Sequence, residues 1–482
     1  MFSRPVASQD AFETTRNDVT SQRDSPAAGD LADALKELAT AVAGLVLVPG
    51  DPAYEAELAG YNLAVRQTPA VVVGVTSVDD VTAAVRFAAG HGLPIAVQAT
   101  GHAPMRPADG AVMISTHRIQ DVRIDPQKRT ARIGAGVRWS SVLEAAAAHG
   151  LAPLSGAAPS VGAVGYITGG GIGPLARSHG YAADHVRSFE IVTADGTTRT
   201  AGPDENTDLF WAVRGGKGNF GVVTSIEIDL FPVRTLYGGG IFFPGESARE
   251  VLTAYWDWTA TVPDAMTSSI ALLRLPQDPD LPPPLRGRFV VHLRVAYNGP
   301  AAEGQRIVEP LRQAAPVVID TIAEMPFSAA GSIHNDPPGP IPFWDTSTLV
   351  TQLSADAVDA LLQLAGPGVE SLTTVVEIRH LGGALSREPQ HANAVENRDA
   401  AFLVYACSIV PPELAAAAVA EHTALQSALE PWKTGHVLLN FTPSDSPERV
   451  ATAFSSETHA RLLEVKARYD PHNLFRFAGL TR

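Results

Sequence analysis

The stretch FWAVRGGKGNFGVVTSIEIDL, residues 210–230, decides which fold this chain can adopt. Residues 216–221 match G-x-G-x-x-G, the turn with which Rossmann enzymes bind a pyrophosphate at the start of a helix. Here the β-branched, nearly alternating residues 222–230 follow the glycines and predict a strand instead of a helix. Gly216 and Lys217 could also belong to a P-loop, but Gly218 stands where that motif requires Ser or Thr. The glycines therefore indicate a close approach of the backbone to another group, in neither of these two folds.

Composition narrows the class of protein. At 482 residues the chain is long enough for two domains, or for one domain with a large insertion. Its net charge of −15, without a cluster of basic residues, argues against nucleic acid and anionic membranes as partners. The single cysteine, Cys407, excludes an internal disulfide and a thiolate metal cluster, and no His/Asp/Glu spacing suggests a metal site. We expect a cytoplasmic protein with a disordered tail over residues 1–30, which lack the apolar region of a signal peptide.

Residues 31–235 predict a first domain. Strand patterns at 70–75 and 93–99 flank a helix that Ser77 can cap. Further short strands and a helix over 139–150 complete an α+β or α/β region, in which many of the strands are expected to be antiparallel.

Residues 155–185 form a second glycine-rich segment. Composition alone allows a loose surface linker. Against that interpretation, Val161, Val164, Ile167 and Ile172 interleave with the glycines, and linkers are seldom so apolar. Because fixed glycines lose much conformational entropy, we expect an ordered segment of this kind to enclose a large group.

Residues 236–430 predict a second domain. Strand patterns such as RFVVHLRVAY (288–297) and TTVVEIRHLGGA (373–384) alternate with helical ones, which favours an antiparallel sheet with helices on one face. Several aromatic residues here have two interpretations, a substrate pocket or an ordinary sheet core. They are Trp256, Trp258, Phe343, Trp344 and Tyr405. Residues 431–482 close the chain, with a helix that ends at Asp470-Pro471, and are expected to return to the first domain.

The order of four blocks resembles the berberine-bridge-enzyme-like flavin oxidases, a branch of the vanillyl-alcohol-oxidase type of FAD enzymes. The resemblance extends from about Tyr61 to Arg476, and the joint order of the blocks is more specific than any single glycine motif. The blocks are LPIAVQATGH (93–102), PSVGAVGYITGGGIGPLARSHGYAADHV (159–186), DLFWAVRGGKGNFGVVT (208–224) and VKARYDPHNLFRF (465–477).

The resemblance implies an α+β fold, with a PCMH-type FAD-binding domain of two α+β subdomains and a substrate domain whose antiparallel sheet is covered by helices. It also implies that residues 100–102 wrap the FAD pyrophosphate with main-chain N–H groups, while the glycine-rich segments follow the rest of the cofactor. The FAD contacts that it suggests are Ala99, Thr100, Gly101, His102, Ala103, Pro159, Ser160, Gly162, Gly165, Tyr166, Gly170, Gly173, Gly221, Val222, Asn440, Asn473 and Phe475.

His102 carries the sharpest expectation. A single histidine among fourteen is ordinarily an exposed or hydrogen-bonded imidazole. His102, however, stands where the family's histidine is often bonded to the 8α-methyl group of FAD. The resemblance implies that such a bond would raise the reduction potential of the flavin and hold it in place.

The chain departs from the family at two positions. A second covalent link needs a cysteine where this chain has Ala158, so double attachment is excluded. The family's Tyr-x-Asn-Tyr, whose first tyrosine serves as a base, corresponds to residues 438–441, which begin with Leu438. Leucine cannot accept a proton, so either another residue is the base or the substrate needs no deprotonation.

Four residues are candidate replacements for the missing base: Tyr166, Glu377, Tyr405 and His436. Glu377 and Arg379 share one face of a predicted strand, opposite Val376 and Ile378. That face could meet the substrate above the flavin, or it could carry a cross-strand ion pair on a solvated surface.

The sequence therefore predicts an FAD-dependent oxidase, in which a small organic alcohol, amine or related C–H donor gives hydride to flavin N5 and dioxygen reoxidises the flavin. Two alternatives stay open. One is a dehydrogenase that passes electrons to another acceptor, and the other is a flavin-holding cyclase or isomerase without net redox chemistry.

Overall fold

The computed structural model describes residues 28–442 and 447–480, so most of the predicted tail lies outside the described residues. Three sheets, of four, five and eight strands, organise the chain. Among the described residues, no helix combines the length and the apolar character needed to cross a membrane.

The first sheet has the strand order β1-β2-β4-β3. Its elements are α1 (Ala28–Ala41), β1 (Leu45–Leu47), α2 (Tyr54–Leu58), β2 (Val71–Gly74), α3 (Val78–Gly90), β3 (Ile95–Gln98) and β4 (Val112–Ser115). Ser77 caps α3 as expected, because its hydroxyl oxygen accepts a hydrogen bond from the backbone N–H of Asp80. Only β1 is antiparallel, since α3 returns the chain so that β3 and β4 run parallel with β2.

The second sheet is antiparallel throughout, in the order β5-β6-β9-β7-β8. Its elements are β5 (Val122–Asp125), β6 (Thr130–Gly134), α4 (Trp139–Ala147), α5 (Ala163–Thr168), α6 (Ala176–His179), β7 (Val186–Val192), β8 (Thr198–Ala201), α7 (Thr207–Gly216) and β9 (Val222–Asp229). Strand β9 begins directly after Gly221, so the glycines lead into a strand as the sequence predicts.

The third sheet, also antiparallel, follows the path β13-β10-β12-β11-β16-β17-β15, with β14 paired to β10. Its elements are β10 (Thr235–Pro244), α8 (Ala248–Thr259), β11 (Met266–Arg274), β12 (Phe289–Tyr297), α9 (Ala301–Arg312), β13 (Ile319–Asp320), β14 (Ala323–Pro326), β15 (Trp344–Val350), α10 (Ala355–Ala365), β16 (Val375–His380), β17 (Phe402–Ser408) and α11 (Ala415–Ala428). One face carries apolar residues such as Leu293 and Ile378, packed against side chains of the four helices. The other face is polar and turns toward the first two sheets.

The C-terminal segment joins the third sheet back to the first two. Helix α12 (Pro447–Ala451) precedes α13 (Ser456–Tyr469), which packs on α7. After α13 the chain passes the edge of the first sheet, where the backbone N–H of Ile95 donates to the carbonyl of Leu474 at 2.8 Å.

Candidate active site

A cavity of about 510 Å³ lies between the first two sheets and the polar face of the third. One wall is mostly backbone from the two glycine-rich segments and from the loop after β3, residues 99–106. The opposite wall consists of side chains from β12, β15, β16 and β17. Its volume lies within the range that accommodates a large organic ligand.

His102 lies in the loop wall, half-buried and held on three sides. Its Nδ1 is 2.9 Å from the hydroxyl of Thr100, its Nε2 is 3.3 Å from the hydroxyl of Ser160, and its ring stacks on Tyr61 with 4.0 Å between centroids. Burial, with a smaller contribution from the charge of Arg138, lowers the pKa of His102 to about 4. The imidazole is therefore neutral at physiological pH, and one ring nitrogen keeps a lone pair.

The glycines of the two glycine-rich segments fall into two groups, according to the space around them. A Cβ at Gly165 would meet nothing within 4 Å, and one at Gly218 only a methyl group at 4.0 Å, so both leave open space on the cavity side. By contrast, a Cβ at Gly171 would lie 2.5 Å from the ring of Tyr166, and one at Gly173 would lie 1.8 Å from the carbonyl oxygen of Ser155. Part of the glycine-rich segment therefore accommodates a tyrosine of the protein itself.

Tyr166 is enclosed by those glycines and contacts Trp139 edge-on at 5.5 Å. Its hydroxyl is buried and has no hydrogen-bond partner within the described chain. Burial raises the pKa of Tyr166 far above its usual range, so the phenol stays protonated. It can donate a hydrogen bond into the cavity, but it is a poor base.

The structure brings many of the predicted site residues together in the cavity wall. Those that line it are Ala99, Thr100, Gly101, His102, Ala103, Gly162, Gly165, Tyr166, Gly221, Glu377, Tyr405 and Asn440. The others, which do not line it, are Pro159, Ser160, Gly170, Gly173, Val222, His436, Asn473 and Phe475.

Alternation along a strand explains why Val222 does not line the cavity. Val222 points into the core between the first two sheets, so its neighbour Val223 faces the cavity. Phe475 is buried in the same core, and Phe477, two residues later, lines the cavity. The FAD contacts at Val222 and Phe475 stay predictions.

Local packing explains the rest of the glycine-block corrections. Pro159 packs against Gly331, Gly170 lies beside the ring of Tyr181, and Gly173 is pressed against Ser155. Ser160 stays behind the wall, where its hydroxyl contacts His102.

The two C-terminal candidates outside the cavity wall differ in their surroundings. Asn473 has a left-handed backbone with φ of +52° and donates its N–H to the carbonyl of Asp470, and its Oδ1 is buried without a hydrogen-bond partner among the described residues. His436 is bound to the Thr452 carbonyl at 2.9 Å, outside the cavity, and is not placed to act as a base there.

Of the aromatic candidates for a substrate pocket, some line the cavity and others do not. Phe343 and Tyr405 line the cavity. Trp256 and Trp258 belong to the core beneath the helices, where the indole N–H of Trp258 donates to the Ile307 carbonyl. Trp344 does not line the cavity either.

The sheet wall holds a buried ion network around Glu377, whose side chain is only 3% exposed. The register places Arg294, Ser269 and Arg379 in one row across β12, β11 and β16. Burial opposes ionisation of Glu377, but the charges of Arg379 and Arg294 outweigh it and hold its pKa well below the usual range. The face of Glu377 and Arg379 is thus a buried cavity wall, and the solvated surface pair considered from the sequence is wrong.

Tyr405 donates a hydrogen bond from its hydroxyl to the carboxylate of Asp345 at 3.2 Å. Burial and the nearby Asp345 charge raise the pKa of Tyr405 well above its ordinary value. Its ring also meets Phe441 edge-on at 6.0 Å. Tyr405 is therefore a hydrogen-bond donor within the wall, not a ready proton acceptor.

Lys217 lines the cavity. In the sequence it appeared only as part of a possible P-loop, which Gly218 excludes. It follows α7 with a left-handed φ of +55°, which directs its side chain into the cavity beside Asn440. Burial lowers the pKa of Lys217 to about 8, although Asp345 favours the charged form. Its ammonium group has no hydrogen-bond partner within residues 28–442 and 447–480. In the sequence, the signal that could have identified Lys217 as a site residue was a lysine within a run of glycines.

Comparison with known proteins gives this cavity an identity. Residues 69–202 match the family described as FAD binding domain, and residues 438–479 match the family described as berberine and berberine like. The chain is 24% identical over 450 residues to an FAD-linked oxidoreductase of Dictyostelium discoideum, with 92% of this chain and 95% of that protein covered. The chain thus combines an FAD binding domain with a berberine-like segment, and its homologues and structural neighbours are berberine-bridge-enzyme-like FAD-linked oxidoreductases.

The chain is also similar to hydroxynicotine oxidase, both in sequence and in structure. The chain is 28% identical over 457 residues to (R)-6-hydroxynicotine oxidase of Paenarthrobacter nicotinovorans, with 90% of this chain and 96% of that protein covered. The crystal structure of 6-hydroxy-D-nicotine oxidase from Arthrobacter nicotinovorans aligns with a TM-score of 0.78 at 26% identity, covering 91% of this chain and 98% of that one.

The residues present fit the FAD that the berberine-bridge-enzyme-like family implies. Gly165 and Gly218 leave space in which a planar ring system can touch the backbone. In the loop after β3, Gly101 has φ of +63°, and a Cβ there would lie 2.6 Å from the Cα of Gly60. In the same loop the Nη2 of Arg106 is buried without a hydrogen-bond partner among the residues that the structure describes, as expected of a group that binds a phosphate.

Proposed function

We propose that this protein is an FAD-dependent oxidase that takes hydride from a small organic alcohol, amine or related C–H donor and releases hydrogen peroxide. The observation that carries the proposal is the cavity itself, in which glycine backbone forms one wall and ionisable side chains form the other. Similarity to a hydroxynicotine oxidase over nine-tenths of the chain supports an oxidase. Bound FAD accepts the hydride at N5 and passes two electrons to dioxygen.

We further propose that His102 forms a covalent bond with the 8α-methyl group of FAD. Support comes from its neutral imidazole and from its fixed orientation between Thr100, Ser160 and Tyr61. A protonated imidazole has no free lone pair, so the low pKa of His102 keeps it nucleophilic over the physiological range.

Lys217 is the residue best suited to accept the proton that leaves the substrate as hydride departs. Glu377 is occupied by its hydrogen-bond donors, and the phenols of Tyr166 and Tyr405 hold their protons. A lysine with a pKa near 8 exists partly as the free amine at neutral to mildly alkaline pH, which matches what general base catalysis requires.

A series of interactions connects Lys217 to the sheet wall of the cavity. Asp345, whose charge acts on Lys217, is hydrogen-bonded to Tyr405, and Tyr405 packs on Phe441. A substrate in this space has Lys217 on one side and the sheet wall on the other. The buried position excludes bulk water, which strengthens electrostatic interactions with the substrate.

The test uses purified protein and its visible spectrum. We expect yellow protein, colour that stays in the pellet after acid precipitation, bleaching when substrate is added without oxygen, and peroxide when air is admitted. Colourless protein that does not take up FAD would contradict the oxidase. Colour released to the supernatant would contradict only the bond between His102 and FAD. Bleaching of the flavin without peroxide in air would indicate a dehydrogenase. Formation of product without bleaching would indicate a cyclase or isomerase.

A further inference from the structure

The sheet wall of the cavity presents an arginine whose binding capacity is mostly unused. Arg379 donates from Nε to Oε2 of Glu377 at 2.9 Å. Its two terminal nitrogens have no hydrogen-bond partner anywhere in the described chain, although the side chain is only 16% exposed. Arg379 lines the cavity, as does Phe441, over which its guanidinium group lies.

Glu377 acts as an anchor for this arginine. Its Oε1 accepts hydrogen bonds from Ser269 at 2.7 Å and from Arg294 at 2.9 Å, and lies 3.2 Å from Nε2 of His334. Its Oε2 accepts from Arg379. Since both oxygens are engaged, the carboxylate has little capacity left for a substrate.

The guanidinium group of Arg379 is also fixed by an aromatic ring. It lies over Phe441 with 5.2 Å to the ring centroid, a cation–π arrangement. Held by Glu377 at Nε and by Phe441 at its face, the group presents its remaining donors in one orientation. Such a preorganised fork matches the two oxygens of a carboxylate.

In the buried network itself, two arginines share one carboxylate. Arg294 and Arg379 both pair with Glu377, in a region where charged groups are costly without partners. Asp336 and Asp345 also line the cavity, and the negative charge of Asp336 acts on Arg379. Asp336 is exposed to solvent, however, and Asp345 accepts a hydrogen bond from Tyr405.

We propose, building on the proposed oxidase function, that Arg379 is the binding residue for a carboxylate group of the substrate, so that the substrate class is small organic acids with an oxidisable C–H. The carboxylate pairs with the free fork of Arg379 and completes the charge balance of the buried network. The carbon that gives up hydride then lies toward the glycine wall and Lys217.

The experiment is calorimetric titration of the purified holoprotein with benzoate and with benzamide, its neutral isostere. We expect benzoate to bind about tenfold or more tightly than benzamide, because a hydrogen-bonded charge is lost in the amide. Flavin content is measured separately by absorbance. Absence of FAD would contradict the oxidase, whereas a failure to prefer benzoate would contradict the carboxylate site alone.

Two variants and a control test whether the guanidinium group of Arg379 causes the preference for benzoate. Arg379→Lys keeps a positive charge beside Glu377 but removes the planar fork, and Arg379→Gln removes the charge. We expect both to weaken benzoate binding about tenfold or more while benzamide binding stays unchanged. Arg123→Met, on an exposed strand, serves as the control. Equal binding of benzoate to wild type and Arg379→Lys would overturn the proposal, and so would a wild type that binds neither ligand.

Discussion

Lys217 and Asn440 converge on the empty side of Gly169. A Cβ built at Gly169 would lie 2.8 Å from Cε of Lys217 and 2.0 Å from Oδ1 of Asn440. Asn440 in turn donates from Nδ2 to the carbonyl of Tyr166 at 2.8 Å. The missing side chain at Gly169 therefore allows one lysine from the glycine run of residues 215–221 and one asparagine from the C-terminal segment to meet at the cavity.

Lys217 should set the pH dependence of substrate oxidation. Its pKa of about 8 means that the amine is protonated below that pH and free above it, so the rate of anaerobic flavin reduction should rise through pH 8 and then level off. Lys217→Met should lower this rate by about 100-fold or more, the usual contribution of general base catalysis.

The control for that experiment is Lys128→Met, since the Lys128 side chain is 71% exposed and lies on another surface. It should leave both rate and pH profile unchanged. A profile that keeps its rise near pH 8 in Lys217→Met would show that another group is the base.

Gly165 and Gly173 should respond to substitution in opposite ways. Gly165→Leu places a side chain in the open space of the cavity, so the protein should fold normally but lose FAD. Gly173→Ala brings a methyl group against the Ser155 carbonyl at 1.8 Å, so it should lower the unfolding midpoint by several degrees. Flavin content and thermal unfolding followed by circular dichroism distinguish the two. Normal flavin content in Gly165→Leu would place the cofactor elsewhere.

His102→Ala should separate binding of FAD from its attachment. Because the loop backbone remains, the variant should still be yellow, but acid precipitation should release its colour to the supernatant. In the wild-type protein the fraction of colour released should be the same after preparation at pH 6 and at pH 8, since the pKa of His102 near 4 leaves the imidazole neutral at both. His149→Ala, at an exposed histidine that does not line the cavity, serves as the matched control and should keep its colour in the pellet. Colour retained in the His102→Ala pellet would identify a different attachment residue.

The backbone of the glycine wall could be predicted from the sequence, because local patterns determine it. The strand after Gly221 and the loop around His102 lie where β-branched runs and turn residues indicate them. Which side chains face the cavity was harder to predict, as at Val222, because a pattern alone does not say which face of a strand turns inward.

The substrate side was harder to foresee because its contacts are remote in sequence. Arg294 and Glu377 are 83 residues apart, and only the pairing of β12, β11 and β16 puts them in neighbouring rows of one face. The one signal for Lys217 in the sequence was its place in a run of glycines. Its role depends on a left-handed backbone and on the absence of a side chain at Gly169, neither of which periodicity reveals.

Lys466 and Asp470 form a fully buried ion pair that should fix the C-terminal segment in place. The ammonium group donates to Asp470 and to the carbonyls of Asn219 and Phe475, each at 2.9 Å, and both side chains are 0% exposed. Asp470 also accepts the backbone N–H groups of Leu474 and Phe475. The pair thus connects the glycine run of residues 215–221 to the chain that continues to Phe477 in the cavity wall.

Lys466→Met should therefore destabilise the protein by about 3–5 kcal/mol, because it leaves a buried carboxylate without its cation. The loss should show as an earlier unfolding midpoint in urea, accompanied by release of any FAD that is not covalently held, which flavin fluorescence reports. The exposed Lys128→Met should change stability by no more than about 0.5 kcal/mol. If Lys466→Met unfolds together with that control and retains its flavin, the pair does not hold the segment, and the C-terminal wall of the cavity must be fixed by apolar packing alone.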